Sequence, residues 1–133
     1  MLEYGLIALG SALGGMGRFW LATVVGRATG GSFPFGTVLV NISGCLAIGL
    51  IATLTGPEGR LSIPGEWRGF LMIGICGGYT TFSSFALQTL LLAQGGEYLA
   101  AAINILASVA LCLLAVWIGH ILALQINGLG AAG

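Results

Sequence analysis

Charge is what this sequence most lacks. Among 133 residues there are four Arg and no Lys, four Glu and no Asp, and one His, so charged residues form 6% of the chain and the formal net charge is zero. About a quarter of a soluble domain is charged, so a water-solvated globule is excluded. With no basic surplus there is also no electrostatic footprint for nucleic acid or another polyanion. Cysteine is scarce: Cys45, Cys76 and Cys112 stand singly in separate apolar runs, without C-x-x-C spacing. They read as buried small residues rather than as a disulfide framework or a metal site. Carboxylates are absent from the apolar runs, since Glu3, Glu58, Glu66 and Glu97 fall at the N-terminal tip or in connections. That removes the working residue of a proton-coupled exporter of the small multidrug type. No His or basic residue accompanies a cysteine at depth, which removes an intramembrane thiol enzyme.

Apolar residues are what remains, at 57% of the chain, with a mean hydropathy of +1.04. They gather into four runs, about 4–25, 35–55, 70–92 and 98–124, each near or above the ~20 residues that carry an α-helix across the hydrocarbon. None shows the alternating pattern of a membrane β-barrel strand. The expected fold is therefore an all-α integral membrane protein forming a single membrane domain over 1–133, with four transmembrane helices and both termini on one side. The N-terminal run, with an acidic Glu3 before it, reads as a span rather than a cleavable signal peptide. The separators hold turn chemistry: Gly30, Gly31 and Pro34, then Pro57, Gly59 and Pro64, then Gly95-Gly96. The 24 glycines have no collagen-like period and suit close helix crossing in lipid.

Orientation has no clear instruction. Arg18 and Arg27 flank the first connection, Arg60 and Arg68 the second, and Glu counts little toward the positive-inside bias. A tie of this kind makes insertion in both orientations possible, and with it an antiparallel homodimer whose two-fold axis lies in the membrane plane. Function would then sit at the dimer interface.

The third run is the anomaly. Its centre reads Gly74-Ile75-Cys76-Gly77-Gly78-Tyr79-Thr80-Thr81-Phe82-Ser83-Ser84-Phe85, and Gly-Gly followed by two β-branched threonines is poor helix-forming sequence. A break there frees backbone groups that lipid cannot satisfy, as at the ion sites of discontinuous membrane helices. The competing structural reading makes Gly74 and Gly78 a small-xxx-small crossing face. A purely structural subunit would explain the glycines but not the hydroxyl and phenyl run. Other polar residues at depth are Ser11, Asn41, Ser43, Gln88, Asn104 and Ser108. Asn104, Ser108 and Cys112, spaced by four, share one helix face that either lines a path or bonds between helices. The Asn41 amide offers uncharged donors, which suit a weakly held anion. Phe82 and Phe85, three apart, are core residues on spacing alone, yet phenyl edges carry positive potential and can face a dehydrated anion. Arg18 is either an anion-attracting mouth or a snorkelling headgroup contact. His120 falls near the end of the last run, at the interface.

The string Gly77-Gly78-Tyr79-Thr80-Thr81-Phe82-Ser83-Ser84-Phe85 resembles the GGxTTFSTF signature of the CrcB/Fluc fluoride channels. Gly36-Thr37-Val38-Leu39-Val40-Asn41-Ile42-Ser43-Gly44 resembles that family's GTLxVNxxG, and Gly10, Gly14 and Arg18 resemble its Gly-rich first span. The resemblance covers essentially the whole chain. It implies a dual-topology homodimer of the inner membrane that passes fluoride passively through two antiparallel pores, with a structural Na+ at the dimer centre. It places the Na+ on backbone carbonyls of Gly77 and Thr80. It assigns the ring edges of Phe82 and Phe85 to the fluoride path, Asn41 and Ser108 to its polar lining, and Ser83 and Ser84 to a hydroxyl track. Arg18 corresponds to a vestibule arginine. The departures are Ala86-Leu87-Gln88, where the family often has Ser-Ala-Glu, with Gln88 replacing a carboxylate of the track; Ser84 for Thr; and Asn104 and Cys112 at the outer stripe.

Overall fold

The computed structural model describes the backbone of residues 1–131 and the side chains of residues 1–128. Helix α1 spans Leu2–Ala28 and α2 spans Phe35–Leu54. The third span, Gly65–Gln94, is composite. It begins as α3 (Gly65–Gly69), widens into a π-helical stretch at Phe70–Cys76, regains one α-turn as α4 (Gly77–Tyr79), breaks, and resumes as α5 (Phe82–Gln94). Helix α6 runs over Tyr98–Ala131. All four spans are long and apolar enough to cross a membrane. The expected four-helix membrane architecture holds, with the third span starting five residues before its apolar run, at Gly65.

Apolar residues cover the outside. Leu106 is 70% exposed, Trp117 60% and Leu113 64%, a surface that hydrocarbon or a partner chain covers and water does not. Within the chain, lipid supplies no hydrophobic drive for helices to associate, so close backbone approach must do so. Glycines permit it in two layers. In the first, α1 crosses the third span: a Cβ on Gly10 would lie 2.7 Å from the Phe70 carbonyl oxygen, one on Gly14 2.7 Å from the Tyr79 nitrogen, and one on Gly78 2.6 Å from the Ser11 carbonyl oxygen. In the second, α2 and α6 meet where Gly49 abuts the Val116 carbonyl and Gly119 abuts the Leu46 carbonyl. The small-residue reading of Gly74 and Gly78 is thus correct, and so is the break, which begins two residues after Gly78, at Thr80.

The connections follow local chemistry. Gly30 and Gly31 take φ of 73° and 72° after α1. At the end of α5, Gly96 takes φ 83° while Glu97 N–H donates to the Leu92 carbonyl at 2.9 Å, a Schellman closure that delivers the chain directly into α6.

Placing a methyl group at Gly49 forces α2 off the Val116 backbone, and overpacking of this kind costs about 1–3 kcal/mol. Gly49→Ala is expected to lower the unfolding midpoint in detergent, whereas Gly5→Ala, whose Cβ meets nothing within 4 Å, leaves it unchanged. Equal midpoints for the two variants would contradict the close-approach account.

Candidate functional site

The break is made by two captured N–H groups. Thr80 and Thr81 are extended, with φ, ψ of −78°, 156° and −152°, 112°. In a continuous α-helix the Thr81 N–H would donate to the Gly77 carbonyl and the Ser84 N–H to the Thr80 carbonyl. Instead, Thr81 N–H donates to Asn41 Oδ1 at 2.7 Å, and Ser84 N–H to Thr81 Oγ1 at 3.1 Å. Asn41 closes the pair by donating its NH₂ to the Thr81 carbonyl at 3.0 Å. A buried side-chain amide therefore replaces a helical turn, and Thr81 caps the new helix as Ser or Thr does at an N-terminus. The carbonyls of Gly77 and Thr80 are left without their helical donors. Gly77 and Gly78 themselves stay helical, so the discontinuity lies at the threonines rather than the glycines.

Two cavities flank the break. The first, about 300 Å³, lies between α2, α5 and α6 and brings together Asn41, Phe82, Phe85 and Ser108, with Cys45 and Cys112 beside them. Its lining carries no carboxylate, Lys or Arg. The two phenyl rings stand 5.1 Å apart, tilted by 57°. Phe85 is buried at 8% exposure, while Phe82 projects from the chain at 77%. Helix α5 begins afresh at Phe82, so its positive end opens beside this cavity.

The second cavity, about 310 Å³, joins Arg18 of α1 to Thr37, Thr81, Ser84 and Gln88. Thr81 borders both. Gln88 Oε1 is buried without a hydrogen-bond partner, and its residue also lines a groove toward Gly31, Ser32 and Glu97. Ser83 is exposed, with its hydroxyl 3.2 Å from Thr81 Oγ1. Of the expected path residues, Asn41, Phe82, Phe85 and Ser108 thus line the first cavity and Ser84 and Gln88 the second, while Ser83 lines neither.

Some roles differ from those read in the sequence. Asn41 commits its oxygen and one N–H to the Thr81 backbone, leaving one donor for the cavity. The Asn104 face serves both readings: Asn104, 1% exposed, donates to Thr89 Oγ1 at 2.8 Å and ties α6 to α5, while Ser108 and Cys112 face the cavity. Ser43 bonds Tyr79 at 2.9 Å and braces the last turn before the break. His120 Nδ1 meets Thr53 Oγ1 at 2.8 Å, joining α6 to α2. Thr81, read in the sequence only as part of the break and the signature string, and Thr37, named only within the Asn41 segment, were not assigned to the site. For Thr81 a signal was present, a Thr three residues before Ser84 at the start of a helical run. Nothing local marked Thr37.

The family model described as CrcB-like protein, camphor resistance (CrcB), matches residues 5–120. The chain belongs to the CrcB family. Among CrcB relatives, the fluoride-specific ion channel FluC of Paramagnetospirillum magneticum is 60% identical over 127 residues, covering 96% of this chain and 99% of the relative. The protein of the same name from Rhodospirillum rubrum is 56% identical, covering 95% and 98%. That of Methylocella silvestris is 53% identical, covering 98% and 100%. The resemblance carried by the nine-residue string and the Asn41 segment is borne out at family level. Those relatives are named as ion channels, not enzymes, and with four membrane-capable helices this CrcB protein is a multi-pass membrane protein.

Removing the Asn41 amide orphans a buried N–H and a buried carbonyl at Thr81, at about 1–3 kcal/mol for each group. Asn41→Ala is expected to lower the detergent unfolding midpoint more than Ser43→Ala, which loses the Tyr79 contact and the hydroxyl's bonds to the Leu39 and Val40 carbonyls of its own helix. A smaller effect at Asn41 than at Ser43 would refute the clamp.

Proposed function

We propose that this protein is a passive fluoride-selective channel of the inner membrane. The observation that carries the reading is the first cavity: phenyl rings, an amide and a hydroxyl meet there with no fixed charge. Uncharged donors and ring edges replace part of the hydration shell of a small anion without holding it as a cation would. Full-length relatives named fluoride-specific ion channels support the same ion. Arg18, in the second cavity with Ser84 and Gln88, raises anion concentration at the mouth of the hydroxyl track. Gln88, in place of a carboxylate, removes a like charge from that track.

The functional unit is an antiparallel homodimer made from both insertion orientations, with a pore on each side. Support comes from the break itself. It lies near the midpoint of the third span, where Gly77 is exposed and its carbonyl lacks a helical donor. Lipid offers that carbonyl nothing, and a second copy crossing at the same place covers it and the projecting Phe82. The balanced Arg count supports both orientations.

A structural Na+ fits the donors present. Gly77 and Thr80 supply hard backbone oxygens released by the Asn41–Thr81 clamp, and two copies double the set. Such an ion supplies positive charge that balances converging carbonyl dipoles. The chain's own part is to hold those carbonyls out of the helix.

Liposomes loaded with fluoride test the channel. The protein is expected to release fluoride with negligible chloride release, and Phe82→Ile or Phe85→Ile to slow it by about tenfold or more, a loss of about 1.4 kcal/mol in ion stabilisation. Equal chloride release, or no fluoride release from folded dimer, would overturn the reading. Replacing sodium by a large organic cation is expected to lower the unfolding midpoint of the dimer; an unchanged midpoint would remove the sodium. Reporter fusions giving one fixed orientation would remove the dual topology.

A further inference from the structure

Helices α2 and α6 run parallel with a constant stagger. Thr53 bonds His120 at 2.8 Å and the Arg60 N–H bonds Asn127 Oδ1 at 3.1 Å, each pair 67 residues apart. The backbone contact of Gly49 with Val116 has the same separation. So do Cys45 and Cys112, one turn before that contact and one turn after Asn41 and Ser108. The stagger sets the two cysteines level with each other, one turn before the close approach of Gly49 to Val116. Both are free and both line the first cavity.

We propose that Cys45 and Cys112 form a two-thiol site for a soft divalent cation that favours linear coordination, of which Hg2+ is the type. Charge selects the valence. Two thiolates around a divalent ion are neutral, whereas around a monovalent ion they leave a net negative charge in a low-dielectric wall. Coordination number selects the geometry. A tetrahedral ion such as Zn2+ needs four ligands, and no group of three or more His, Cys, Asp or Glu is placed to hold a metal among the described residues. Soft thiolates discriminate against hard cations such as Na+. Neutral HgCl₂ enters an uncharged cavity without an ion's desolvation cost. Two S–H and two Hg–Cl bonds break, two S–Hg bonds form, and two protons and two chlorides leave, with no change of oxidation state.

Because the pair shares its cavity with Phe82 and Phe85, the bound metal obstructs the proposed fluoride path; this consequence rests on the channel reading. The test titrates the purified full-length protein with HgCl₂ and follows intact mass and fluoride efflux together. Wild type and Cys76→Ala are expected to gain one mercury per chain with loss of two protons, retained against a competing monothiol. Cys45→Ala and Cys112→Ala are expected to lose that retention by about tenfold or more; Cys45→Ser and Cys112→Ser serve where an alanine variant does not fold. Adducts on single cysteines, or equal retention in the Cys45 or Cys112 variants, would overturn the site. Efflux is expected to fall by about tenfold with the adduct in wild type and to hold at its own untreated rate in the Cys45 and Cys112 variants. Full efflux with the adduct present would overturn the obstruction. Wild type without any fluoride efflux would overturn the channel reading instead, leaving the mass measurement to decide the thiol site.

Discussion

In hydrocarbon, a peptide group that leaves its helix must find another partner, and at Thr81 that partner is the side-chain amide of Asn41. The exchange is two-sided, the amide accepting from the Thr81 N–H and donating to its carbonyl. Everything beside the break depends on it. With Thr81 extended, its hydroxyl is free to cap α5, and the carbonyls of Gly77 and Thr80 are released together. One neutral residue on a neighbouring helix thereby creates a polar centre inside an apolar bundle without placing a charge there.

The clamp works only because the helices are held in register. Lipid does not press helices together, so the bundle relies on backbone surfaces stripped of side chains. Gly10 and Gly14 against Gly74 and Gly78 fix α1 to the half of the third span that precedes the break. Gly49 and Gly119 fix α2 to α6. Asn41 is thereby carried to the level of Thr81, and Cys45 to that of Cys112. The π-helical stretch at Phe70–Cys76 lies within the first contact.

The electrostatics follow from scarcity. A fixed cation in the phenyl-lined cavity would hold an anion tightly, and a carboxylate would repel it; neither is there. Partial charges from ring edges, an amide N–H, a hydroxyl and a helix start are weak one by one and cumulative in a medium of low dielectric. Arg18 stands apart, lining the second cavity rather than the first. Gln88 in that cavity keeps hydrogen-bonding capacity and gives up charge.

Much of this was legible in the letters because the physics is local. Length and hydropathy of the four runs set four spans, the absence of acids within the runs left a proton-coupled exporter without its working residue, and Gly-Gly-x-Thr-Thr announced a discontinuity. What the letters could not place was whatever depends on a neighbour. Asn41 read as a lining amide is chiefly a backbone clamp, since its partner lies 40 residues away. Asn104 and Ser108, on one helix face and joined by the Ser108 hydroxyl donating to Asn104 Oδ1 at 3.4 Å, take different roles because Thr89 stands opposite the first of them and the cavity opposite the second. Thr37 joined the second cavity with no local mark at all. Sequence alone determined that the chain spans a membrane as helices and carries an uncharged polar centre, because burial in lipid constrains every residue of a span in the same way. Only tertiary structure decided which groups that centre exposes, because a free carbonyl or a facing thiol is defined by what the adjacent helix takes up or brings level.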